Sequence, residues 1–176
     1  MIAGRKWLLI LCAALVSAMP VAGWAAPVNA TVKSVVGKVE FAAPGTVKFE
    51  PLKAGSALPM GSTIRTGSDG IAVIVVAGGA AIRVGYNSNM VLGEMDVDQT
   101  NPQAPKRKGR VELKSGVASA LVDPSQPEPV DFTIKTPQGA AAARGTFFAV
   151  MVEGDKSFLA VDEGKVGVQL NNPAHP

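Results

Sequence analysis

The sequence predicts an all-β protein made of short strands, and three features support that prediction. Apolar and polar residues alternate in several segments, among them residues 38–41 and 165–170, and a period of two is typical of half-buried strands. Turn sequences such as Gly-Ser-Asp-Gly at residues 67–70 separate these segments. Short motifs also recur in the same order along the chain, which favours a single compact domain with two similar halves.

An export signal is predicted at the N-terminus. Arg5 and Lys6 precede an apolar run over residues 7–19, and small residues follow that run, as signal peptidase requires. We place the cleavage after Ala25, which makes residues 1–25 a signal peptide. Because the apolar run is shorter than the roughly 20 residues of a membrane-spanning helix, we expect no transmembrane anchor after cleavage.

The residue inventory argues against nucleic-acid binding and against catalysis. Loss of Arg5 and Lys6 with the signal peptide reduces the 17 Lys and Arg to 15, against 14 Asp and Glu, so the basic pI does not indicate a nucleic-acid partner. The only cysteine, Cys12, lies in the signal peptide, and the only histidine, His175, lies in a predicted flexible tail of residues 171–176. Without a thiol or a packed histidine we expect no enzyme, no metal site and no cofactor.

The two predicted halves span about residues 31–95 and 109–170. A polar, proline-containing stretch of residues 96–108 is predicted to be an exposed loop that joins them. Residues 106–108, with Arg110 nearby, form the densest basic cluster of the chain. This cluster is either part of a solvated loop or a contact for an anionic polymer or lipid, and it lacks the interleaved aromatic residues that stack on nucleic-acid bases.

Three short motifs occur in both halves in the same order. They are Gly-[Lys/Arg]-Val at residues 37–39 and 109–111, Leu-Lys-x-Gly at residues 52–55 and 113–116, and Thr-Ile-[Arg/Lys]-Thr at residues 63–66 and 133–136. Residues 164–166 contain the first motif once more. Their common order favours a layered all-β unit in which strands and turns repeat.

Residues 133–152 combine a predicted turn with a predicted strand that contains Arg144. If residues 144–152 form one extended strand, both faces of that strand are apolar, so Arg144 enters or borders the core. Because a buried guanidinium must be paired, Arg144 is expected to lock the fold through backbone carbonyls or through Asp162 or Glu163. We therefore expect Arg144→Ala to lower the melting temperature well beyond an ordinary surface substitution. The functional alternative is that Arg144 binds an anion.

Several motifs resemble those of the FecR domain family. Residues 58–67 resemble its L-x-x-G-x-x-I-x-T-G start, and residues 86–88 resemble the Asn-Ser that ends a strand. Residues 136–150 resemble T-P-x-G followed by V-R-G-T-x-F-x-V, and residues 162–166 resemble its closing x-x-G-x-V. The resemblance covers residues 33–170, nearly all of a domain of residues 26–170. The positions that match, taken as the framework of the domain, are Gly61, Thr66, Gly67, Asn87, Ser88, Pro137, Gly139, Arg144, Gly145, Thr146, Phe148, Gly164 and Val166.

The resemblance implies an exported all-β domain that is solenoid-like or jelly-roll-like. In the best-understood members of the family, this domain is the envelope part of a transmembrane anti-sigma regulator that responds to an iron-transport receptor. The sequence shows neither a cytoplasmic anti-sigma segment nor an internal transmembrane helix, so we expect a free-standing binding module in the periplasm or cell envelope, or secreted. Its partner would be another envelope protein or a surface polymer. The alternative is a structural or cell-surface scaffold that self-associates.

Overall fold

The computed structural model describes residues 29–76, 80–98, 106–123 and 130–171. Within these residues the protein is all-β, which confirms the predicted fold class, with 14 strands and no helix. In chain order the strands are β1 (Asn29–Val36), β2 (Val39–Ala42), β3 (Glu50–Pro51), β4 (Ala57–Pro59), β5 (Thr63–Thr66), β6 (Ile71–Val76), β7 (Ala80–Val84), β8 (Asn89–Asp98), β9 (Lys106–Val122), β10 (Asp131–Thr136), β11 (Gly139–Arg144), β12 (Phe147–Glu153), β13 (Lys156–Glu163) and β14 (Val166–Leu170). The predicted signal peptide, the middle of the predicted joining loop and His175 lie outside the described residues.

The strands form one sheet that curls into two facing layers. The first layer has the order β4-β1-β6-β7-β9-β12-β13, and the second has the order β3-β2-β5-β8-β9-β10-β11-β14. Neighbouring strands are antiparallel, except that β9 and β10 are parallel. Among the described strands, β13 and β14 each have a single hydrogen-bonded neighbour, so they form the free edges on the C-terminal side of the two layers.

Strand β9 belongs to both layers and connects them. Residues 106–115 pair with β8, and residues 116–122 pair with β7 and β12. Gly116 lies at the transition with a φ of +86°, a conformation that favours glycine. Gly55, the matching glycine of the first Leu-Lys-x-Gly motif, has a φ of +85° and lies between β3 of the second layer and β4 of the first. Both copies of the motif therefore lead the chain from the second layer into the first.

A single hydrophobic core lies between the two layers. Alternate residues of the strands point into it, as the period of two predicts; in β6, Ala72, Ile74 and Val76 are buried and the residues between them are partly exposed. Large, fully buried side chains come from both layers, such as Ile82 from the first and Phe132 from the second. Burial of one such side chain contributes about 1.5–3 kcal/mol.

The prediction of one continuous strand over residues 144–152 is wrong, because the chain leaves one strand and enters another at Gly145. Strands β10, β11 and β12 occupy the segment, and Gly145, with a φ of +69°, separates β11 from β12. Arg144 therefore ends β11 and does not share a strand with Phe148. Neither strand is buried on both faces, since buried and more exposed residues alternate along β11 and β12.

The joining loop is shorter than the predicted residues 96–108. Strand β8 extends to Asp98 and β9 begins at Lys106, so both ends of the stretch are paired strand. Asp96 lies opposite Lys108 in the register of the two strands. Opposite charges across an antiparallel pair favour the pairing, which explains how a polar sequence extends a hairpin here.

Candidate functional site

Two residues of the framework, Thr66 and Ser88, lie at a buried junction between strand ends. The Thr66 hydroxyl donates to the carbonyl oxygen of Gly85 at 2.6 Å and accepts a hydrogen bond from the backbone N–H of Ser88 at 2.8 Å. The Ser88 hydroxyl accepts from the backbone N–H of Val117 at 2.9 Å. Because both side chains are buried, their hydroxyls satisfy backbone groups that the strands leave unpaired.

Gly67 and Asn87 shape the turns around this junction, and Gly61 lies in the turn before the other end of β5. The N–H of Gly67 donates to the carbonyl oxygen of Lys38 at 2.8 Å, and the carbonyl oxygen of Gly67 accepts from the N–H of Asn87 at 3.0 Å. Asn87 has a φ of 49° and Gly61 a φ of 87°, in the left-handed region that Asn and Gly adopt most readily. These residues determine the path of the backbone.

The Thr-Pro-Gln-Gly turn between β10 and β11 is closed by hydrogen bonds. The Thr136 hydroxyl accepts from the N–H of Gly139 at 3.2 Å. A Cβ atom at Gly139 would collide with the carbonyl oxygen of Gln169 in β14, so the close approach of β14 to the turn requires glycine. The Asn171 side chain donates to the carbonyl oxygen of Pro137 at 3.1 Å, which connects the end of β14 to the turn.

Thr146, Phe148, Gly164 and Val166 form the third part of the framework. Gly164 has a φ of +92°, and a Cβ atom there would lie 2.7 Å from the hydroxyl oxygen of the buried Thr146. Phe148 is fully buried, and Val166 packs against the same core. In the structure these residues hold turns and core together.

The side chain of Arg144 lies on the surface and carries the only charge among the framework residues. Its guanidinium forms a bidentate ion pair with Asp131, with Nε–Oδ1 at 2.6 Å and Nη2–Oδ2 at 3.1 Å. The two side chains are 56% and 47% exposed and lie opposite each other in the register of β10 and β11. The expectation that Arg144 enters the core is wrong, because β11 ends at this residue with its side chain on the outer face of the second layer.

A concavity of about 630 Å³ lies over this outer face, and we call it the trough. Its charged residues come from β8, β9, β10 and β11 and from the turn before β14. The cations are Lys108, Arg110, Arg144 and Lys165, and the carboxylates are Glu94, Asp96 and Asp131. Lys108 of the predicted basic cluster, the nearby Arg110 and Arg144, which is distant in the sequence, thus contribute to one surface.

The charges of the trough are partly paired with each other. Arg110 pairs with Glu94 at 3.1 Å, in addition to the pair of Arg144 with Asp131. Lys108 and Lys165 bring two more positive charges and Asp96 one more negative charge. An anionic group can be held here electrostatically, although modestly, because the exposed charges are screened by water and salt. In the described parts of the chain, no group of three or more His, Cys, Asp or Glu residues could hold a metal ion.

A second surface lies between the free edges of β13 and β14, and we call it the open end. Leu159 and Val161 of β13 lie opposite Val150 and Phe148 of β12, which are both buried. Because opposite residues of antiparallel strands project to the same face, Leu159 and Val161 project toward the core. They are nevertheless 37% and 42% exposed.

The core-facing residues of β14 are also uncovered. Val168 and Leu170 lie opposite Ala141 and Gly139 of β11, which are both buried, yet they are 57% and 73% exposed. A narrow, mostly apolar cleft of about 100 Å³ lies between the two edges and includes Leu159, Val168 and Leu170 in its lining. The two layers therefore leave part of their core-facing apolar surface open to solvent.

Sequence patterns identified parts of both surfaces but not the surfaces themselves. The basic cluster at residues 106–108 and Arg144 were recognised as separate candidates, and the alternation in residues 165–170 indicated an apolar face of β14. The sequence placed Asp96 near the basic cluster, but the contributions of Glu94 and Asp131 and the exposure of β13 were missed. Only the pairing of the strands brings these residues together.

The fold and its framework define the class of this protein as a curled, two-layered all-β domain whose motif residues stabilise turns and core. A family model described as FecR protein matches residues 62–167, more than half of the chain. The protein therefore belongs to the FecR family, as the motifs predicted. Proteins of this family are envelope-associated and act in regulation and signalling.

Comparison with curated proteins and with solved structures gave no match. Across the described residues, no helix has the length and apolar character needed to cross a membrane.

Proposed function

We propose that this protein is a non-catalytic, exported binding module of the bacterial cell envelope, and that it binds a protein partner at the open end in signalling or surface assembly. Membership of an envelope-associated, regulatory family supports a role in interaction. The observation that favours the open end is the exposure of Leu159, Val161, Val168 and Leu170, although all four face the core side of their layers. Export is inferred from the signal peptide predicted for residues 1–25.

Two properties of the open end favour an extended segment of the partner as the bound element. The free edges of β13 and β14 present rows of backbone donors and acceptors that an added strand can pair with. The cleft between the edges is narrow and mostly apolar, so it can accept alternate side chains of such a strand. Apolar area buried there would contribute about 25 cal/mol per Å².

Site-specific photo-cross-linking in the cell envelope tests this proposal. A photoreactive residue at Val168 should cross-link to a protein partner. The same residue at Val47 should not, because Val47 is exposed in the loop between β2 and β3, near the opposite edge of the second layer. Leu170→Lys should abolish the cross-link from position 168 and leave the melting temperature unchanged, since residue 170 is largely exposed. Equal yields from positions 168 and 47, or no product from position 168, would contradict the proposal.

The trough supports a second candidate function, the binding of an anionic surface polymer. Lys108, Arg110, Arg144 and Lys165 converge there from separate parts of the sequence. Four cations spread over an open concavity suit a repeating anionic chain better than a single small ion. Protein binding at the open end is favoured over this function, because Arg110 and Arg144 are already engaged with carboxylates.

A further inference from the structure

We infer that the outer face of the first layer carries a binding site for a single-chain amphiphile with one anionic head group, such as a fatty acid. The site lies on the opposite side of this layer from the open end, and it does not depend on the function proposed there. A shallow groove of about 200 Å³ crosses β6, β7, β9 and β12 on the outer face. Its lining includes Val73, Ala81, Arg83, Ser119, Leu121 and Phe147.

One side of the groove is an apolar row that is open to solvent. In the register of the sheet, Ala81 lies opposite Val75 and Leu121, and Leu121 lies opposite Phe147. Opposite residues project to the same face, and the neighbours of these residues along their strands are buried, so the row lies on the outer face. Leu121 and Phe147 are 52% and 42% exposed. The chain itself therefore leaves this apolar surface uncovered.

Arg83 brings the only charge to the described lining of the groove. It lies opposite Val73 on one side and Ser119 on the other. Among the residues that the structure describes, neither the Arg83 guanidinium nor the Ser119 hydroxyl has a hydrogen-bond or ion-pair partner. A guanidinium beside a hydroxyl provides the donors that an oxyanion such as a carboxylate requires.

The position of the charge relative to the apolar row indicates the chemistry of the ligand. Arg83 and Ser119 are each two residues along their strands from Ala81 and Leu121, a distance of about 7 Å. A head group held by Arg83 therefore places an attached chain over Ala81 and Leu121. The small side chains of Ala81 and Ser119 leave room for that chain between larger neighbours. Each methylene removed from water can raise the affinity by up to about fourfold.

Two other occupants suit the groove less well. A second copy, seated groove against groove, would bring two Arg83 side chains together, and the described lining contains no carboxylate to neutralise them. A bilayer surface is disfavoured because Arg83 lies within the apolar face, with Leu121 on one side of it and Val117 on the other. Docking on a bilayer would carry the guanidinium toward the acyl chains at a cost in free energy. A single amphiphile instead brings its own anion to Arg83.

Titration with monomeric octanoate, followed by NMR of the backbone amides, tests the site. Shifts should be concentrated at Ala81, Arg83 and Leu121, and octanol should bind about tenfold more weakly, because it lacks the charge. Absence of shifts, or shifts concentrated at Leu159 and Val168, would overturn the inference; the second result would place the ligand at the open end.

Charge variants separate a specific role of Arg83 from an effect of net charge. Arg83→Gln should weaken octanoate binding about tenfold and leave octanol binding unchanged. Arg65→Gln is the matched control, because Arg65 is exposed in β5 of the second layer, where it lies 4.0 Å from the centre of the Phe49 ring. This variant should bind octanoate like the native protein. Equal weakening by the two substitutions would refute the role of Arg83.

Sedimentation distinguishes the other occupants. The native protein should not co-sediment with phosphatidylglycerol vesicles at about 0.15 M salt, where exposed charges are screened, and Leu121→Lys should not change its oligomeric state. Vesicle binding without octanoate shifts would assign the face to a lipid surface and overturn the inference. A dimer that Leu121→Lys dissociates, again without octanoate shifts, would assign the face to a second copy and overturn it as well.

Discussion

The hydroxyl group of Ser88 lies against the backbone of Val117 and accepts a hydrogen bond from the Val117 N–H. The N–H of Val117 donates to Ser88 Oγ at 2.9 Å, and the same oxygen lies 3.1 Å from the Val117 carbonyl oxygen. This contact lies where β9 leaves the second layer and enters the first. Gly116, the residue before Val117, packs closely against Ser88. A Cβ atom at residue 116 would collide with the serine hydroxyl. The Asn-Ser motif thus stabilises the bend that allows one strand to serve two layers.

Substitution of Ser88 by alanine should lower the free energy of unfolding by about 1–3 kcal/mol, because it leaves the partly buried N–H of Val117 without its hydrogen-bond acceptor. The midpoint of urea unfolding should fall while the m-value stays constant. Ser34→Ala, at an exposed position of β1, is the control and should change stability by less than about 0.5 kcal/mol. Equal effects of the two substitutions would contradict a structural role of the Ser88 hydroxyl.

The two Leu-Lys-x-Gly motifs provide a matched pair of glycine substitutions. Gly55→Ala should lower the free energy of unfolding by about 1–2 kcal/mol, because its φ is +85° but no atom lies within 4 Å of the added Cβ. Gly116→Ala should lower it by more, because the same backbone strain is combined with a collision against Ser88. Urea unfolding of both variants measures the difference. If both substitutions lower the free energy of unfolding equally, the collision with Ser88 must be relieved by small shifts that cost no stability.

The sequence predicted much of this fold because strands and turns have local determinants. Alternation of polar and apolar residues indicated the strands, and the Gly-Ser-Asp-Gly sequence marked the turn at residues 67–70. The sequence did not predict that β9 belongs to both layers, or that β9 and β10 are parallel. Such pairings join segments that are distant in the chain, and a local period carries no information about them.

The surfaces were harder to predict, and Arg144 shows one reason. Alternation over residues 144–152 predicts which face of the sheet the Arg144 side chain occupies only if these residues form one continuous strand. Gly145 interrupts the strand, so the alternation after it does not apply to Arg144. The open end shows another reason. Val168 and Leu170 alternate with Gly167 and Gln169, which indicates that β14 has an apolar face. The sequence does not show whether another part of the protein covers that face, and in the structure it is exposed.

Arg144→Ala should have a modest effect on stability, in contrast to the large loss expected for a buried arginine. A double-mutant cycle of Arg144→Ala and Asp131→Ala should give a coupling energy of about 0.2–1 kcal/mol, toward the upper end because the pair is bidentate. The coupling should decrease with added salt, since both side chains are about half exposed. Thermal unfolding at low and high ionic strength measures it. A salt-independent coupling of about 3 kcal/mol or more would indicate a desolvated pair and contradict the surface position.

The trough should retain an anionic polysaccharide weakly and in a salt-dependent manner, with heparin as the probe. Lys108→Glu combined with Lys165→Glu reverses two charges of the trough, so retention on a heparin column at low ionic strength should be lost. Lys33→Glu combined with Lys53→Glu makes the same change in net charge at exposed positions outside the trough, and this variant should still be retained. Retention of the native protein should disappear near 0.15 M salt, where the screening length is about 8 Å. Equal loss of retention in the two double variants would assign the binding to net charge and refute a specific role of the trough.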